Sequence, residues 1–451
     1  MWAKIGLNSF GGPAGQIAVM HDELVERRRW ISERRFLHAL NYCMLLPGPE
    51  AQQLATYTGW LLHGVGGGVA AGVLFVLPGF VAMLGMAMLY AIAGGVTWVS
   101  GLLFGIQAAV IAVVIDAVIR IGRRTLHSAA LRVIAGASFI AVFFLHVAFP
   151  FVVLGAAAAG WLLGRGNPSW LMSGGGHNAK SGAKSGAKSS ANSATAAPAL
   201  LSDDVELDPR AARSALRAAA VAALLWLVPV LGLVLFLGTE NILTQEAVLF
   251  SKSAVVTFGG AYAALGYVAQ QAVDRYSWIS AGDMVTGLGL AETTPGPLVM
   301  VLEFVGFLAA YRHPGDLPPL LAGTLGAVVT VWVTFLPCFL FIFAGAPYVE
   351  RLRSNIAWSH ALTAIGAAVA GVVLNLAVWF AVHTLFATVN DQTWGILNAP
   401  VPQLTSLRWV AVTIAALAGI AVFQLRWPTL RVVAAAAGLG AAAALTGLVS
   451  P

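Results

Sequence analysis

The sequence predicts an all-α polytopic membrane protein of two homologous halves in inverted topology, with broken or re-entrant helices at two Pro-Gly-Pro motifs. Three observations predict it. The 451 residues are 59% hydrophobic and 10% charged, with a mean hydropathy of +0.83, too apolar for an ordinary soluble domain. Long apolar runs follow one another, most reaching the ~20 residues that span a hydrocarbon core. Three rare clusters, Phe10-Gly11-Gly12, Trp30-Ile31-Ser32 and Pro47-Gly48-Pro49, return as Phe258-Gly259-Gly260, Trp278-Ile279-Ser280 and Pro295-Gly296-Pro297 at a constant offset of 248. Lys4 and Lys252, Arg27 and Arg275, and the hydroxyls of Ser9 and Thr257 share that register. Fixed spacing in two copies points to a duplicated unit with a shared task. Further on, Leu77-Pro78 matches Leu336-Pro337, and Ile106, Ala108, Ala109 and Val110 match Ile365, Ala367, Ala368 and Val369, now at an offset of 259.

Helices are expected throughout, because backbone in a bilayer must satisfy its own hydrogen bonds. Residues 1–20 and their copy 249–268 are short and glycine-rich, suited to entering the membrane without crossing as a regular helix. The segment His21 to His38 carries Arg27, Arg28, Arg29, Arg34 and Arg35 among Leu24, Trp30, Ile31 and Phe36; it is interfacial and faces the cytoplasm by the positive-inside rule. Runs 66–93 and 98–119 then cross out and back, putting Arg120, Arg123, Arg124 and Arg132 inside. Runs 129–148 and 149–165 return the chain to the inside. There 166–209 holds Ser-Gly-Ala-Lys twice in succession and reads as a low-complexity, disordered linker. Run 215–238 crosses outward, so the second copy begins outside, where Arg275 is balanced by Asp274 and Asp283. Run 317–346 returns and puts Arg351 and Arg353 inside; 356–389 exits to a loop containing Asp391; 408–425 and 431–449 leave Arg426 and Arg431 inside, with Arg408 alone at an outer end.

The count divides the chain into an N-terminal membrane repeat (1–165), a cytoplasmic linker (166–209), a connecting transmembrane helix (210–240) and a C-terminal membrane repeat (241–451). It holds if each Pro-Gly-Pro is the tip of a re-entrant pair; a kinked full crossing would move the basic cluster at 120–132 outside. The net charge of +6 follows this loop bias and implies no nucleic-acid partner. Cys43 and Cys338 stand apart in apolar surroundings, neither a disulfide framework nor a ligand spacing. No metal-binding histidine pair, phosphate loop or catalytic triad is present in the sequence, so neither cofactor nor metal nor enzymatic activity is expected. No cleavable signal peptide is apparent, since Gly-Gly-Pro and Gln16 interrupt the first apolar stretch.

The motifs carry the chemistry. Proline removes a backbone donor and disfavours helix before it, and glycine between two prolines permits a sharp change of direction. A helix restarting at Pro47-Gly48-Pro49 or Pro295-Gly296-Pro297 points unpaired N–H groups into the protein, and such N-termini favour anions. Phe10, Gly11, Gly12 and Pro13, with Gly259 and Gly260, add bare backbone beside Ser9 and Thr257, so two symmetry-related donor sets would suit a small oxyanion. The same residues also serve close helix packing and kinks. Lys4 and Lys252 either attract the anion or snorkel to the headgroups. Arg27, Arg28 and Arg275 are candidate charges at the entrance and exit, although topology alone accounts for Arg27. Glu50 and Glu292 flank the two Pro-Gly-Pro units, and Glu303 lies deeper in the same apolar region. A carboxyl there can carry a proton, while Glu50 also suits the first turn of its helix. Asp116 and Arg120 have the spacing of a helical ion pair.

At these residues the sequence resembles the chromate ion transporter family, in its long-chain branch with two homologous halves. The resemblance rests on SFGGP, HDELVERRRWIS, LLPGP with Gln52 and Gln53, VTFGGAY, LAETTPGP and LNLAVWF at 374–380. It covers nearly the whole chain apart from the linker. It implies efflux of chromate from the cytoplasm, chromate resistance, residence in the bacterial inner membrane and sulfate as competing analogue. Family motif positions fall on Phe10, Gly11, Gly12, Pro13, Arg28, Trp30, Pro47, Gly48, Pro49, Gly259, Gly260, Pro295, Gly296 and Pro297. The chain departs in having Ala261 where the first copy has Pro13, and in starting a few residues before the first motif, so either its first segment is shortened or the start lies upstream. Sulfate or another inorganic oxyanion as the true substrate, and a membrane sensor or scaffold acting through the linker, are the alternatives. The sequence leaves the oligomeric state open, a homodimer included.

Overall fold

The computed structural model describes the chain except Gly11, Leu45, 167–208, Gly259, 347–355, Ile396 and 449–451, and the side chains of Pro13, Ala14, Pro209 and 356–359. The predicted linker, Gly11 and Gly259 therefore lie outside the described residues. In the N-terminal half, α1 (Trp2–Asn8) and α2 (Gly12–His21) run into a π-helical turn, Asp22–Arg27, followed by α3 (Glu33–Cys43), α4 (Glu50–Ala93), α5 (Thr97–Thr125), α6 (Ala129–Phe143) and α7 (Phe149–Gly166). Helix α8 (Pro209–Leu237) connects to α9 (Ile242–Val256), α10 (Ala261–Ala269), a second π-helical turn Gln270–Arg275, α11 (Ala281–Thr293), a 3-10 turn Leu298–Met300, α12 (Val301–Arg312), α13 (Pro319–Gly345) and α14 (Ile356–Leu385). A hairpin of β1 (Val389–Trp394) and β2 (Leu397–Pro402), then α15 (Trp409–Phe423) and α16 (Thr429–Leu445), complete it. The hairpin is the one departure from the all-helical expectation among the described residues. It occupies the polar stretch after α14, where Asn398 N–H reaches the Phe144 carbonyl at 2.8 Å.

Five helices are long and apolar enough to cross a membrane, with four shorter apolar ones. In α8, Leu224, Val228, Leu231, Leu235 and Phe236 are exposed, which is the side expected to meet lipid. Helix α4 changes direction at His63 and Gly64, the latter with φ 64° and ψ −157°, so 50–62 folds back on 65–93. The second half makes the same turn with a loop, between α12 and α13.

Both motif regions are helical hairpins, not kinked crossings. Lys4 on α1 meets Glu23 beyond α2 at 3.5 Å, which two collinear helices could not do. The rings of Tyr42 and Tyr57 lie 5.3 Å apart on either side of the first Pro-Gly-Pro. Asp283 at the start of α11 receives bonds from Arg312 at the end of α12, at 2.7 and 3.0 Å. Each hairpin thus returns to the level it left, as the crossing count required.

The two halves repeat in fine detail. Arg29 and Ser277, 248 apart, are both left-handed non-glycine residues, with φ of 52° and 51°. Trp30 N–H to Leu24 and Trp278 N–H to Ala272 are both 2.8 Å. Pro78 in α4 and Pro337 in α13 both lie inside their helices, where proline bends the axis. The halves also exchange partners: α7 packs on α14 of the other half, and α16, the counterpart of α7, packs on α5. Such reciprocal contacts are the mark of a two-fold relation. Tyr90, at the end of α4, bonds Asp283 at the base of the second hairpin, whereas Tyr42 on α3 bonds the Phe341 carbonyl at the opposite end, late in α13. The hairpin bases therefore lie at opposite ends of the molecule and their tips meet between, which is the inverted plan.

Candidate functional site

The tips cross at mid-depth and hold each other by two equivalent hydrogen bonds. Gly48 N–H donates to the Thr257 carbonyl and Gly296 N–H to the Ser9 carbonyl, both at 3.1 Å. Each tip glycine is left-handed, φ 106° at Gly48 and 102° at Gly296, a conformation that glycine adopts without steric cost. The space a Cβ would take at Gly48 is filled by Cys338 Sγ, 2.9 Å away, and at Gly296 by the Gly79 backbone, with its Cα at 2.7 Å. Cys338 and Gly79 are themselves equivalent positions, one residue beyond the two helix prolines.

Four helical N-termini converge on this crossing. Helices α2 and α10 restart at the left-handed glycines Gly12 and Gly260, α4 restarts at Glu50 after Pro49, and the 3-10 turn before α12 restarts after Pro297. N-terminal amides and the helix dipole make such a place favourable to negative charge. The hydroxyls beside them are committed elsewhere: Ser9 Oγ donates to the Ile5 carbonyl and Thr257 Oγ1 to that of Ser253, both at 2.6 Å. The first tip is braced further by Gln53, whose amide donates to the Pro47 carbonyl at 2.6 Å. Gln16 braces the other tip by donating to the Gly296 carbonyl at 2.7 Å. Sequence reasoning met Gln16 only as an interruption of the first apolar stretch and not as a site residue; its counterpart Ala264 cannot make this bond, and the signal of Gln16 was an amide in an apolar helix.

The space between Gly48, Pro49, Ser253, Thr257, Gly260 and Thr334 is about 10 Å³, roughly the room of one water. A tetrahedral oxyanion does not fit, so the tips are closed. Glu50, half-buried, reaches toward Gly260, its Oε1 standing 3.6 Å from where a Cβ would be. Glu292 is buried and accepts from Tyr262 Oη at 2.8 Å.

The other charged candidates lie away from the crossing. Lys4 and Arg28 both engage Glu23, at 3.5 and 3.2 Å. The Arg28 hydrogen bond holds the Glu23 carboxyl below the usual range against its desolvation, with Lys4 contributing. Arg27 pairs with Asp22 at 2.8 Å and with Glu23. Lys252 is exposed. Arg275 bonds Gln271 at 3.5 Å and lines a cavity of about 740 Å³ at the opposite end, with Asn241, Gln245 and His313. Beside it, burial and the facing Asp391 push Asp274 up to about 6. Asp116 and Arg120 form the expected ion pair.

Comparison with known proteins places this architecture. The family model for the chromate transporter matches residues 1–161 and 244–441. A chromate transport protein of Cupriavidus metallidurans is 28% identical over 381 residues, covering 83% of this chain and 80% of that protein. One of Pseudomonas aeruginosa is 32% identical over 381 residues, covering 82% and 77%. A probable chromate transport protein of Synechococcus elongatus is 25% identical over 385 residues, covering 83% and 81%. No solved structure matches.

Proposed function

The chain belongs to the chromate transporter family, and from that premise we propose that it exports chromate, or a closely related divalent oxyanion, across the bacterial inner membrane and so confers chromate resistance. The observation that carries the reading is the convergence of four helical N-termini at two crossed, re-entrant tips. In the closed arrangement the Gly48 and Gly296 amides are spent on the Thr257 and Ser9 carbonyls of the opposite half. Parting the tips would release both donors, with the N-terminal amides beyond Gly12, Pro49, Gly260 and Pro297, to an anion entering between them. The protein would thus replace hydration with fixed donors at the midplane, and alternation would consist of opening the tips first toward one end and then the other.

The end bearing Arg27, Arg28, Arg34 and Arg35 is assigned to the cytoplasm by the positive-inside rule. There the ion pairs of Arg27, Arg28 and Lys4 with Asp22 and Glu23 form the entrance, and Arg275 at the opposite end stands at the exit. Glu50 and Glu292, one at each tip, are placed to take up protons as the anion passes. Energetics favour efflux. A dianion leaving an inside-negative cell gains about 4.6 kcal/mol at ~100 mV, more than three decades of gradient at ~1.4 kcal/mol each. Sulfate, of like charge and shape, would compete.

Inverted membrane vesicles test the reading. Vesicles containing the protein should accumulate chromate under an imposed potential, vesicles lacking it should not, and excess sulfate should reduce the uptake. Flux absent under every imposed gradient would refute export of this anion.

A further inference from the structure

A second polar feature runs beside the crossing and takes no part in it. Glu246 on α9 and Glu303 on α12 are fully buried, and among the described residues neither oxygen of either carboxyl has a hydrogen-bond partner of normal geometry, although the Ala310 backbone of α12 faces Glu246. The hydroxyls of Ser253 on α9 and of Thr330 and Thr334 on α13 are likewise buried without one. Glu246 and Ser253 are seven residues apart on α9, and so share a helix face. Glu246 Oε2 lies 2.9 Å from the place a Cβ on Gly326 would occupy. Gly326 of α13 packs against Gly306 of α12, which also touches Thr330 and stands one helical turn from Glu303. The outer end of this row, Glu246, lies one turn from Ile242 and Leu243, which line the cavity of Arg275 with Asn241 and Gln245. Its inner end, Ser253 and Thr334, lines the central space with Gly48 and Thr257.

Among the described residues no cation pairs with either carboxyl. On α9 itself Lys252 is exposed; on α8 so are Arg213 and Arg217. On α11 and α12, Asp283 accepts from Arg312 and from Tyr90 of α4, while Glu292 accepts from Tyr262 of α10. Tyr311 of α12 stacks on Phe307, and Cys338 of α13 donates to the Thr334 carbonyl. An ionised carboxylate so placed would be buried in apolar surroundings without a countercharge, so each group holds its proton until a path opens.

We infer that Glu246 and Glu303 are proton-binding sites, and that the Thr330, Ser253 and Thr334 hydroxyls relay protons between the Arg275-side cavity and the crossed tips, coupling proton movement to that of the anion. The inference rests on the transporter reading. Only O–H bonds form and break: a proton from water in the cavity loads a carboxyl and leaves it toward the tips.

The test uses the full-length protein and its Glu246→Gln and Glu303→Gln variants, reconstituted in vesicles. Chromate flux is read under a potential alone, a pH gradient alone and a sodium gradient alone. The wild type should respond to potential and to pH. Each variant should keep its potential-driven flux but lose about tenfold of its pH response, within the range of ordinary coupling free energies. Infrared spectra of the same samples should show a protonated-carboxyl band in the wild type that weakens in each variant. An unchanged pH response in both variants, a response to sodium in its place, or an unchanged carboxyl band in both would overturn the proposal. Wild-type vesicles without chromate flux under any gradient would instead refute the transporter reading, and the infrared band would still decide whether these groups hold protons.

Discussion

Gly48 and Gly296 sit at φ 106° and 102°, where a side chain is strained whatever space surrounds it, and in both places the space is filled. The fillings differ. A Cβ at Gly48 meets the Cys338 side chain, which can turn aside, whereas one at Gly296 meets the Gly79 backbone, which cannot. Gly48→Ala should therefore cost about 1–3 kcal/mol of backbone strain, and Gly296→Ala more. Adding Cys338→Ala should recover part of the Gly48→Ala loss, while no side-chain trimming recovers Gly296→Ala. Thermal unfolding in detergent beside chromate flux would check this, and equal losses without rescue would contradict it. Ser9 and Thr257 were expected to face an anion, but their hydroxyls are bonded to their own helices. Their backbone carbonyls join the tips.

The hairpins, as elements, are closed with unequal strength. The base of α11–α12 is held by a two-bond Arg312–Asp283 pair, with Asp283 also accepting from Ser280 and Tyr90. Among the described residues, the polar contact across the base of α1–α2 is the long Lys4–Glu23 pair, with Lys4 63% exposed. Exposed pairs contribute little to stability. Arg312→Ala should thus cost about 1.5–3 kcal/mol, the range for hydrogen bonds to a charged group, toward the lower end because Arg312 keeps 39% of its side chain exposed. Lys4→Ala should leave the unfolding midpoint almost unchanged. If the two substitutions cost the same, the second hairpin is no firmer than the first.

At the scale of the whole molecule, tips that meet from opposite ends require their bases to face opposite sides of the membrane. Both native cysteines are buried, so an impermeant thiol reagent would report cysteines added at exposed sites. In intact cells it should label Asp316→Cys, beside the Arg275 cavity, and label Glu26→Cys only after permeabilisation. Labelling of both from one side would rule out the inverted arrangement. The reciprocal packing of α7 on α14 and α16 on α5 makes each half incomplete alone, so an isolated half should not hold its tip in place.

Sequence alone determined the class, the duplication and the family, because each is carried by signals that survive without a fold. Apolar runs of membrane length are local, and so is the backbone demand for glycine and proline at Pro47-Gly48-Pro49 and Pro295-Gly296-Pro297. Two copies in one register make that demand visible. The β1–β2 hairpin escaped, since two short strands in a polar loop carry no such period. Whether the motif segments cross or turn back was decided only by tertiary contacts, Lys4 with Glu23 and Asp283 with Arg312, between residues that no spacing rule pairs. Glu246 was equally hidden: one turn into a helix capped by Asn241 it reads as an ordinary acid near a helix start. Its burial against α13 depends on Gly326, eighty residues later, a neighbour that exists only once the helices have packed.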